Sequence, residues 1–332
     1  MTTTFPTVYV PTDDGLQLPA VDVTNPAFTV TPTEAELDAL TRQFIAETAD
    51  RPELPPPVRA ALAQSILGKA LIAAAGGFLP GMDTYLLKLG PDHLTHPFTV
   101  IDRRIAASFP GFTTRLRLQD MAALIADGAA PQLAASPSRP LCLINIAGGA
   151  AADSWNALIR LRAEHPDLLE GRALSIAVLD PDGRGPRFGA KAVAALTAEG
   201  GPLGGLAVGV RHLPYDWSHP EHLAPLLDEL RAREAACAIS SEGGLFEYAL
   251  DHTVVANLGA LRAGAAADAI VVGSVTREGA AARAALAASR VPTQPRTLEA
   301  FAALARSGGW TIDTWIARPF SYDVRLMTAG HE

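Results

Sequence analysis

The sequence predicts an α/β fold built on a doubly wound, mostly parallel sheet of seven strands. From residue 141 onward, short apolar runs alternate with stretches of helical periodicity. The first five runs each end in a polar or glycine-containing turn, and the last two runs follow each other with no helix between them. Strands that alternate with helices form parallel sheets, whereas two successive strands form an antiparallel hairpin. We therefore expect an antiparallel hairpin at the end of the sheet.

The predicted elements of this region follow one another in a regular order. The strands are expected at residues 141–146, 173–179, 206–213, 235–239, 268–272, 310–317 and 321–327. The helices are expected at residues 154–169, 188–198, 220–234, 246–263 and 298–307. The connections between them are short, which is usual in compact α/β domains.

The part of the chain before this pattern is expected to form a separate, mainly helical region. Helical periodicity predicts helices at residues 34–47 and 58–75, and a shorter helix at 118–127. Residues 128–140 are rich in Ala, Ser and Pro and are interpreted as a linker. The predicted boundary therefore separates residues 1–137 from a sheet domain at residues 138–332.

Composition excludes several classes of protein. The 332 residues carry a formal net charge of −8 with no basic run, which argues against nucleic acid as a partner. The N-terminus has neither the basic segment nor the apolar segment of a signal peptide, and no apolar run is long enough to span a membrane. Cys142 and Cys237 each lie in a predicted strand, so we expect buried free thiols, and no metal-ligand spacing is evident. These observations favour a cytoplasmic protein that acts on a small molecule; the oligomeric state stays open, a homodimer included.

The central motif of the sequence is the stretch around the first predicted strand. The apolar run Leu141–Ile146 leads into small residues that include Gly148 and Gly149, and Asp153 and Ser154 then offer caps to a helix. Small residues let a backbone approach a ligand closely, and a helix N-terminus offers free N–H groups to an anion. The pattern indicates a nucleotide-binding strand–turn–helix unit, although a connection without a ligand has the same appearance.

Polar residues also follow the next predicted strands. In a parallel sheet these carboxyl ends meet at one edge, and that edge is where ligands bind in open α/β sheets. The candidates are Asp180, Asp182, Tyr215, Asp216, Ser240 and Ser241.

This arrangement resembles the class I S-adenosylmethionine-dependent methyltransferase superfamily over about residues 138–328. The first turn is similar to the acid-x-Gly-x-Gly-x-Gly motif of that superfamily, with departures. Asn145 stands at the acidic position, and Ala147, Gly149 and Ala151 stand at the glycine positions, with Gly148 added. The three-glycine fingerprint of dinucleotide-binding folds is absent, which disfavours that alternative.

The resemblance implies S-adenosylmethionine as the cofactor and assigns residues to its parts. Asn145, Ala147, Gly148 and Gly149 would form the turn that meets the cofactor. Asp180, with Asp182 as the competing residue, would bind the ribose hydroxyls. Asp216 would accept a hydrogen bond from the adenine amino group, and Tyr215 would pack beside the purine. Ser240 and Ser241 would lie near the methionine part.

The resemblance also implies that residues 1–137 form a lid over the cofactor. Candidates for its inner surface are Phe78, Tyr85, Phe98 and Phe112.

The expected activity is methyl transfer to a small molecule, and a non-catalytic binding protein on the same fold is the alternative from another class. Residues of the stretch 240–248 are candidates for a general base or for orienting a nucleophile, Glu242 and Tyr248 first, with Glu247 beside them. The two glutamates equally suit a helix N-terminus, where negative charge is favourable.

Asn145 leaves a third reaction open. An amide in place of a carboxylate removes negative charge from beside the amino group of the cofactor, which lowers the pKa of that amine. A neutral amine could attack its own γ-carbon and release methylthioadenosine, as azetidine-2-carboxylate synthases do. Glu242, Tyr215 or Tyr248 would then take the proton, and Asn145 would be the residue that decides the chemistry.

Overall fold

A two-stranded hairpin and a seven-stranded sheet make up the β-structure of the computed structural model, which describes residues 5–49, 55–289 and 291–330. The hairpin pairs β1 (Tyr9–Pro11) with β2 (Gln17–Pro19). The strands of the large sheet are β3 (Leu141–Ile146), β4 (Leu174–Leu179), β5 (Val208–Leu213), β6 (Ala236–Ser241), β7 (Ile270–Thr276), β8 (Trp310–Ala317) and β9 (Ser321–Thr328).

Helices precede the large sheet, alternate with its strands, and surround it. Those of the N-terminal region are α1 (Glu34–Ala49), α2 (Pro56–Leu62), α3 (Ile66–Ala73), α4 (Gly81–Leu89), α5 (Val100–Ala107) and α6 (Phe109–Ala135). Those that follow β3 are α7 (Ala152–Glu164), α8 (Arg184–Leu196), α9 (Ala224–Ala232), α10 (Leu245–Tyr248), α11 (Asp251–Gly264), α12 (Ala280–Ser289) and α13 (Leu298–Ser307).

The order of strands in the large sheet is β5-β4-β3-β6-β7-β9-β8. The pairs from β5 to β7 are parallel, while β9 runs antiparallel to both β7 and β8. The predicted fold class, a doubly wound mostly parallel sheet with a terminal antiparallel hairpin, is confirmed. The first strand of this sheet, β3, lies in its middle. The next two strands, β4 and β5, are added on one side of β3, and β6 and β7 are added on the other side. The direction in which strands are added therefore reverses beside β3.

The two faces of the large sheet carry separate hydrophobic clusters. One face, which we call the α6 face, presents Leu143 and Val272 to a cluster that includes Met121 of α6, Trp155 of α7 and Phe188 of α8. The opposite face, which we call the α11 face, packs against side chains of α9, α11 and α13, among them Leu226, Leu258 and Phe301. The alternation of side chains along each strand explains this division, because successive residues point to opposite faces.

The predicted linker is wrong over residues 128–135, which form the last two turns of α6. This helix runs for 27 residues and contains Pro131 in its interior. Gly128 lies directly on the sheet, since a Cβ atom there would come within 2.5 Å of Ile270 Cδ1. The Ala-rich composition that suggested a linker is also a strong helix-forming composition, and packing on the sheet decides the outcome.

The N-terminal region shares the core of the α6 face. Leu18, Val21 and Tyr85 belong to the same buried cluster as Trp155. The indole Nε1 of Trp155 donates a 2.8 Å hydrogen bond to the carbonyl of Val21, and the hydroxyl of Tyr85 donates one to Pro19. The division into residues 1–137 and 138–332 stays a prediction, but each part covers apolar surface of the other.

Other differences from the prediction concern element ends. β6 extends to Ser241 and β7 to Thr276, beyond the predicted ends at 239 and 272. The predicted helix 58–75 is divided into α2 and α3, because Ser65 caps α3 by accepting a 3.0 Å bond from Gly68 N–H. The predicted helix 246–263 is likewise divided into α10 and α11, and α5 and α12 were not predicted. Within the described ranges, none of the helices is long and apolar enough to cross a membrane.

Candidate functional site

The turn after β3 has an unusual backbone conformation. Ala147, Gly149 and Ala151 have φ angles of 56°, 59° and 58°, in the left-handed region. Glycine adopts this conformation readily, but for an alanine it costs roughly 1 kcal/mol. The turn therefore keeps the sharp conformation that glycines usually provide, with the two alanines held in it by their surroundings.

Two other glycines pack directly on this turn. A Cβ atom on Gly149 would lie 2.6 Å from Gly81 Cα, and one on Gly185 would lie 2.6 Å from the carbonyl carbon of Gly149. The backbone at the start of α4 and at the start of α8 thus touches the turn without an intervening side chain. We call residues 78–89, which include α4, the roof segment, because they cover the turn at the carboxyl edge of the sheet.

Asp180 ends β4 beside the same turn. Its Oδ2 accepts a 3.1 Å hydrogen bond from the N–H of Gly149, and its Oδ1 accepts a 2.8 Å bond from the N–H of Asp182. Burial raises the pKa of the Asp180 carboxyl, and the two backbone donors oppose that rise. Asp182 itself is more exposed and forms an ion pair with Arg184 at 3.2 Å. The carboxylate of Asp180 is therefore fixed relative to the glycine turn, as a ribose-binding group would need to be.

The two residues expected to meet adenine differ in position. Asp216 follows β5 on the surface, where its Oδ1 accepts a bond from the N–H of Ser218, and its pKa is lowered by that bond. Tyr215 is buried in the α11-face cluster, and its hydroxyl donates a 2.6 Å bond to Asn257 Oδ1 in α11. Asp216 therefore lies at the carboxyl edge of the sheet, whereas the Tyr215 hydroxyl is hydrogen-bonded in the core.

Asn145 is fully buried near the end of β3 and contacts the carboxylate of Asp153, which was predicted only to cap a helix. Its Nδ2 donates a 2.7 Å bond to Asp153 Oδ1 in α7 and a 3.2 Å bond to Ser240 Oγ in β6. Asp153 is also fully buried, and its pKa is raised to about 6, first by desolvation and then by the charge of Glu242. Ser241 does not join this group of residues, since its Oγ accepts the N–H of Leu245.

Glu242 and Glu247 form a buried ion-pair network with the N-terminal region. Lys88 of the roof segment binds Glu242 Oε2 at 2.6 Å, with both side chains almost completely buried. Arg117 of α6 reaches Glu242 at 3.3 Å and Glu247 at 2.7 Å, and the two glutamates raise its pKa. Both glutamates follow β6 at the carboxyl edge of the sheet, and the two cations that hold them were not predicted from the sequence.

The sequence contains a signal for this network in the alternation of residues along the strands. On the α6 face, alternate positions of three strands change from apolar to polar toward the carboxyl edge, as in Ala236, Ala238, Ser240 and Glu242. Cross-strand pairing of Ser274 with Asp323 adds β9 to this pattern. We call these residues the polar stripe: Asn145, Ser240, Glu242, Ser274, Thr276 and Asp323.

Asp323 is the most strongly perturbed member of the polar stripe. It is fully buried, and its pKa is raised to about 8 by desolvation and by the nearby charge of Asp120. Asp120 in turn forms a bidentate pair with Arg318, with distances of 2.6 and 2.7 Å. Arg318 is therefore already paired with Asp120, and Asp323 has no ion-pair partner among the residues described.

Aromatic side chains contact one another where the roof segment meets the carboxyl edge of the sheet. The ring of Phe78, in the roof segment, contacts Trp217 edge-on at 5.6 Å and Tyr248 at 4.9 Å between centroids. Tyr248 is largely buried, and its pKa is raised by desolvation and by Glu247. Of the expected inner aromatic residues, Phe78 thus lies over the edge of the sheet, whereas Tyr85 belongs to the core below it.

No protein-family model matches the sequence, and no curated protein matches it. Among solved structures, a possible exported protein from Bordetella parapertussis is 15% identical with a TM-score of 0.56, and the match covers 90% of this chain and 98% of that one. The mitomycin 7-O-methyltransferase MmcR is 16% identical with a TM-score of 0.41, over 90% of this chain and 74% of that one.

LepI, solved in complex with S-adenosylmethionine, is 15% identical with a TM-score of 0.37 over 58% of this chain. This chain matches only 44% of the length of LepI. At such identities the likeness to the Bordetella protein bears on the fold alone, and the weaker superpositions of the other two carry no argument. The strand order and the geometry of the carboxyl edge are therefore the basis for a functional conclusion.

Proposed function

We propose that this protein binds S-adenosylmethionine at the carboxyl edge of β3, β4 and β5 and transfers its methyl group to a small molecule. The supporting observation is the strand order β5-β4-β3-β6-β7-β9-β8, which reverses beside β3. Ligands of open α/β sheets bind at such a reversal, outside the carboxyl ends of the strands. The glycine turn and Asp180 meet there through the hydrogen bond from Gly149.

The side chains present at this edge fit such a cofactor. Asp180 offers a fixed carboxylate for two ribose hydroxyls, because each of its oxygens accepts one backbone N–H and keeps a further lone pair. Asp216 is positioned on the surface after β5, where an adenine amino group would be reached. Asn145 Oδ1 and Asp153 Oδ2 are buried oxygens without a partner among the described residues, and they suit a ligand that brings hydrogen-bond donors.

Access to the glycine turn requires the roof segment to move. Gly81 occupies the surface of Gly149 that a ligand would contact. The roof segment is held at three places: by Gly81 on the turn, by Lys88 on Glu242, and by Phe78 on Trp217 and Tyr248. The expected role of the N-terminal region as a lid stays a proposal, and the roof segment is the part of it that would carry this role.

When bound, the cofactor supplies an electrophilic methyl group on a sulfonium. The chain would contribute by orienting the ligands and by excluding water, since Lys88, Arg117, Glu242 and Glu247 form a fixed, buried ion-pair network behind the carboxyl edge. Because Glu242 is engaged by two cations, we assign it to holding the roof segment and α6 in place rather than to proton abstraction. Tyr248 lies at the opening, where it would meet an acceptor.

The cyclisation alternative loses its main support. It rested on the absence of negative charge at Asn145, yet the carboxylate of Asp153 lies 2.7 Å from the amide nitrogen of that residue. A carboxylate beside Asn145 would favour the ammonium form of an amine bound there, and an ammonium does not attack carbon. We therefore propose methyl transfer in preference to cyclisation.

Analysis of products tests this choice. The protein is incubated with S-adenosylmethionine, alone and with a panel of small-molecule acceptors, and all products are identified by mass spectrometry. Methyl transfer yields S-adenosylhomocysteine above background only when an acceptor is present. Methylthioadenosine with azetidine-2-carboxylate from the cofactor alone would establish cyclisation instead, and binding without any product would leave a non-catalytic protein.

A further inference from the structure

A surface groove lies between α13 and β8, at the opposite end of the large sheet from β5. β8 is the outermost strand at that end, so its outer edge pairs with no strand among the residues described. The residues that line the groove include Leu298, Glu299, Ala302, Arg306, Ile312 and Trp315. Trp315 is 51% exposed to solvent. An exposed aromatic side chain beside an apolar groove is typical of an interaction surface.

A β-bulge in β8 turns Trp315 toward this groove. The pairing with β9 shifts between Ile312 and Thr314, so that Ile312 is opposite Leu326 and Trp315 is opposite Val324. Leu326 and Val324 both belong to the buried cluster of the α11 face. Cross-strand partners share a face of a sheet, so Ile312 and Trp315 both lie on the side of α13. In a regular strand their spacing would put them on opposite faces, and the bulge therefore re-aims Trp315.

The exposed side of α13 carries one acidic and one basic residue with alanines between them. Glu299 and Arg306 are separated by about two helical turns and so lie on the same side of the helix, while Phe301 points into the core. Both charged residues are exposed, and neither forms an ion pair within the part of the chain that the structure describes. Ala302 and Ala303 lie between them, and small residues let a second helix approach closely.

We propose that α13 and the groove beside it form the interface of a symmetric dimer, whose partner is a second copy of this chain. A two-fold axis through the middle of α13 makes the two copies of the helix antiparallel. Glu299 of each copy then meets Arg306 of the other, so this surface is complementary to itself, as an isologous interface requires. In a parallel arrangement of the helices, like charges would face each other.

The same two-fold axis gives Trp315 a place to pack. β8 follows α13 after a short connection and runs back along it, so Arg306 lies near the start of β8 and Trp315 lies toward the start of α13. The reversal of the helix in the second copy therefore brings its Trp315 toward Arg306 and Ile312 of the first. Trp and Arg often dominate the binding energy of interfaces, and a guanidinium over an indole ring is attractive. We expect the dimer to depend most on Trp315.

Sedimentation velocity of the full chain over a range of concentrations tests this interface. We expect the wild type to dimerise and Trp315→Ala to raise the dissociation constant of the dimer by roughly tenfold or more, as for a hot-spot residue. Tyr9→Ala removes a 59% exposed aromatic side chain from the small hairpin and should leave the dissociation constant unchanged. Circular dichroism establishes that each variant is folded. The measurement needs no ligand, so its outcome is independent of the proposed function.

Reversal of the charges tests the symmetry of the interface. Glu299→Arg and Arg306→Glu each place like charges opposite each other twice per dimer, so each variant alone should associate more weakly than the wild type. An equimolar mixture of the two should form a heterodimer, because each copy then offers the charges that the other lacks. Glu199→Arg, in the exposed loop after α8, is the control and should dimerise like the wild type.

Three outcomes would overturn the proposal. A wild type that is monomeric at every concentration would leave the groove to another occupant, such as an apolar peptide. A dimer that is insensitive to Trp315→Ala would have its interface elsewhere on the molecule. Weaker association of both charge-reversal variants without recovery in their mixture would contradict the antiparallel two-fold arrangement, whereas recovery would establish it.

Discussion

The two faces of the large sheet differ sharply at its carboxyl edge. On the α11 face the strands stay mostly apolar, with Ile146, Ile239 and Val275 in one buried cluster, and the polar Ser241 at the end of β6 accepts the N–H of Leu245. On the α6 face the same strands end in the polar stripe, from Asn145 to Asp323. The cations that compensate this charge come from the N-terminal region. The difference shows that this region supplies charged partners to the carboxyl edge of the sheet in addition to covering apolar surface.

The largest expected effect is on the α6 face. Arg117→Ala removes a cation from two buried glutamates, so that Glu242 keeps Lys88 and Glu247 keeps no ion-pair partner among the residues described. Breaking a buried pair in this way costs about 3–5 kcal/mol in the free energy of unfolding. Ile239→Val on the α11 face is the matched change and should cost about 0.5–1.5 kcal/mol. Urea unfolding measures both, and equal losses would erase the proposed difference between the faces.

A second effect concerns pH and Asp323. Its folded-state pKa is raised from 3.8 to about 8, so the stability it contributes is present below about pH 4 and is lost as the pH rises toward 8. The slope can reach about 1.4 kcal/mol per pH unit. Asp323→Asn removes this titration, so the variant should gain stability relative to the wild type between pH 5 and pH 8. Parallel stability curves for the two proteins would show that Asp323 titrates normally.

The smallest expected effect is at the contact between the roof segment and the turn. A Cβ atom on Gly81 would lie 2.5 Å from Gly149 Cα, so Gly81→Ala forces the backbones apart, at about 1–3 kcal/mol. Gly259→Ala in α11 meets no atom within 4 Å and should stabilise the helix slightly. Thermal unfolding compares the two variants. If Gly81→Ala is as stable as Gly259→Ala, the roof segment does not rest on the turn.

The sheet of this fold was predictable because its strands have local sequence signals. Apolar runs such as Leu141–Ile146 end at turn residues, and the last two runs lack a helix between them. The end of α6 was not predictable in this way, since residues 128–135 combine helix-forming alanines with Gly128 and Pro131. Packing against the sheet makes this segment helical, and composition alone does not show whether a segment packs on a sheet.

The positions of the predicted site residues at the carboxyl edge could be derived from the sequence, but the side chains that contact them could not. Asp180 and Glu242 follow strands, so the edge at which they meet can be derived from strand order alone. The pairing of Glu242 with Lys88 joins residues 154 positions apart, and no periodicity relates them. Asp153 lies only eight positions from Asn145, yet its contact depends on how tightly the turn reverses. The sequence therefore identified the strand-end residues and missed the side chains that come to them from helices.

The most direct test of the account is calorimetric titration with S-adenosylmethionine of the wild type, Asp180→Ala and Asp167→Ala. The charged hydrogen bonds that Asp180 would give to the ribose are worth roughly 1.5–3 kcal/mol each. We predict that the wild type binds, that Asp180→Ala weakens binding at least tenfold, and that Asp167→Ala binds like the wild type. Binding unchanged in folded Asp180→Ala would contradict the placement of the cofactor, and absence of binding to the wild type would contradict the proposed function itself.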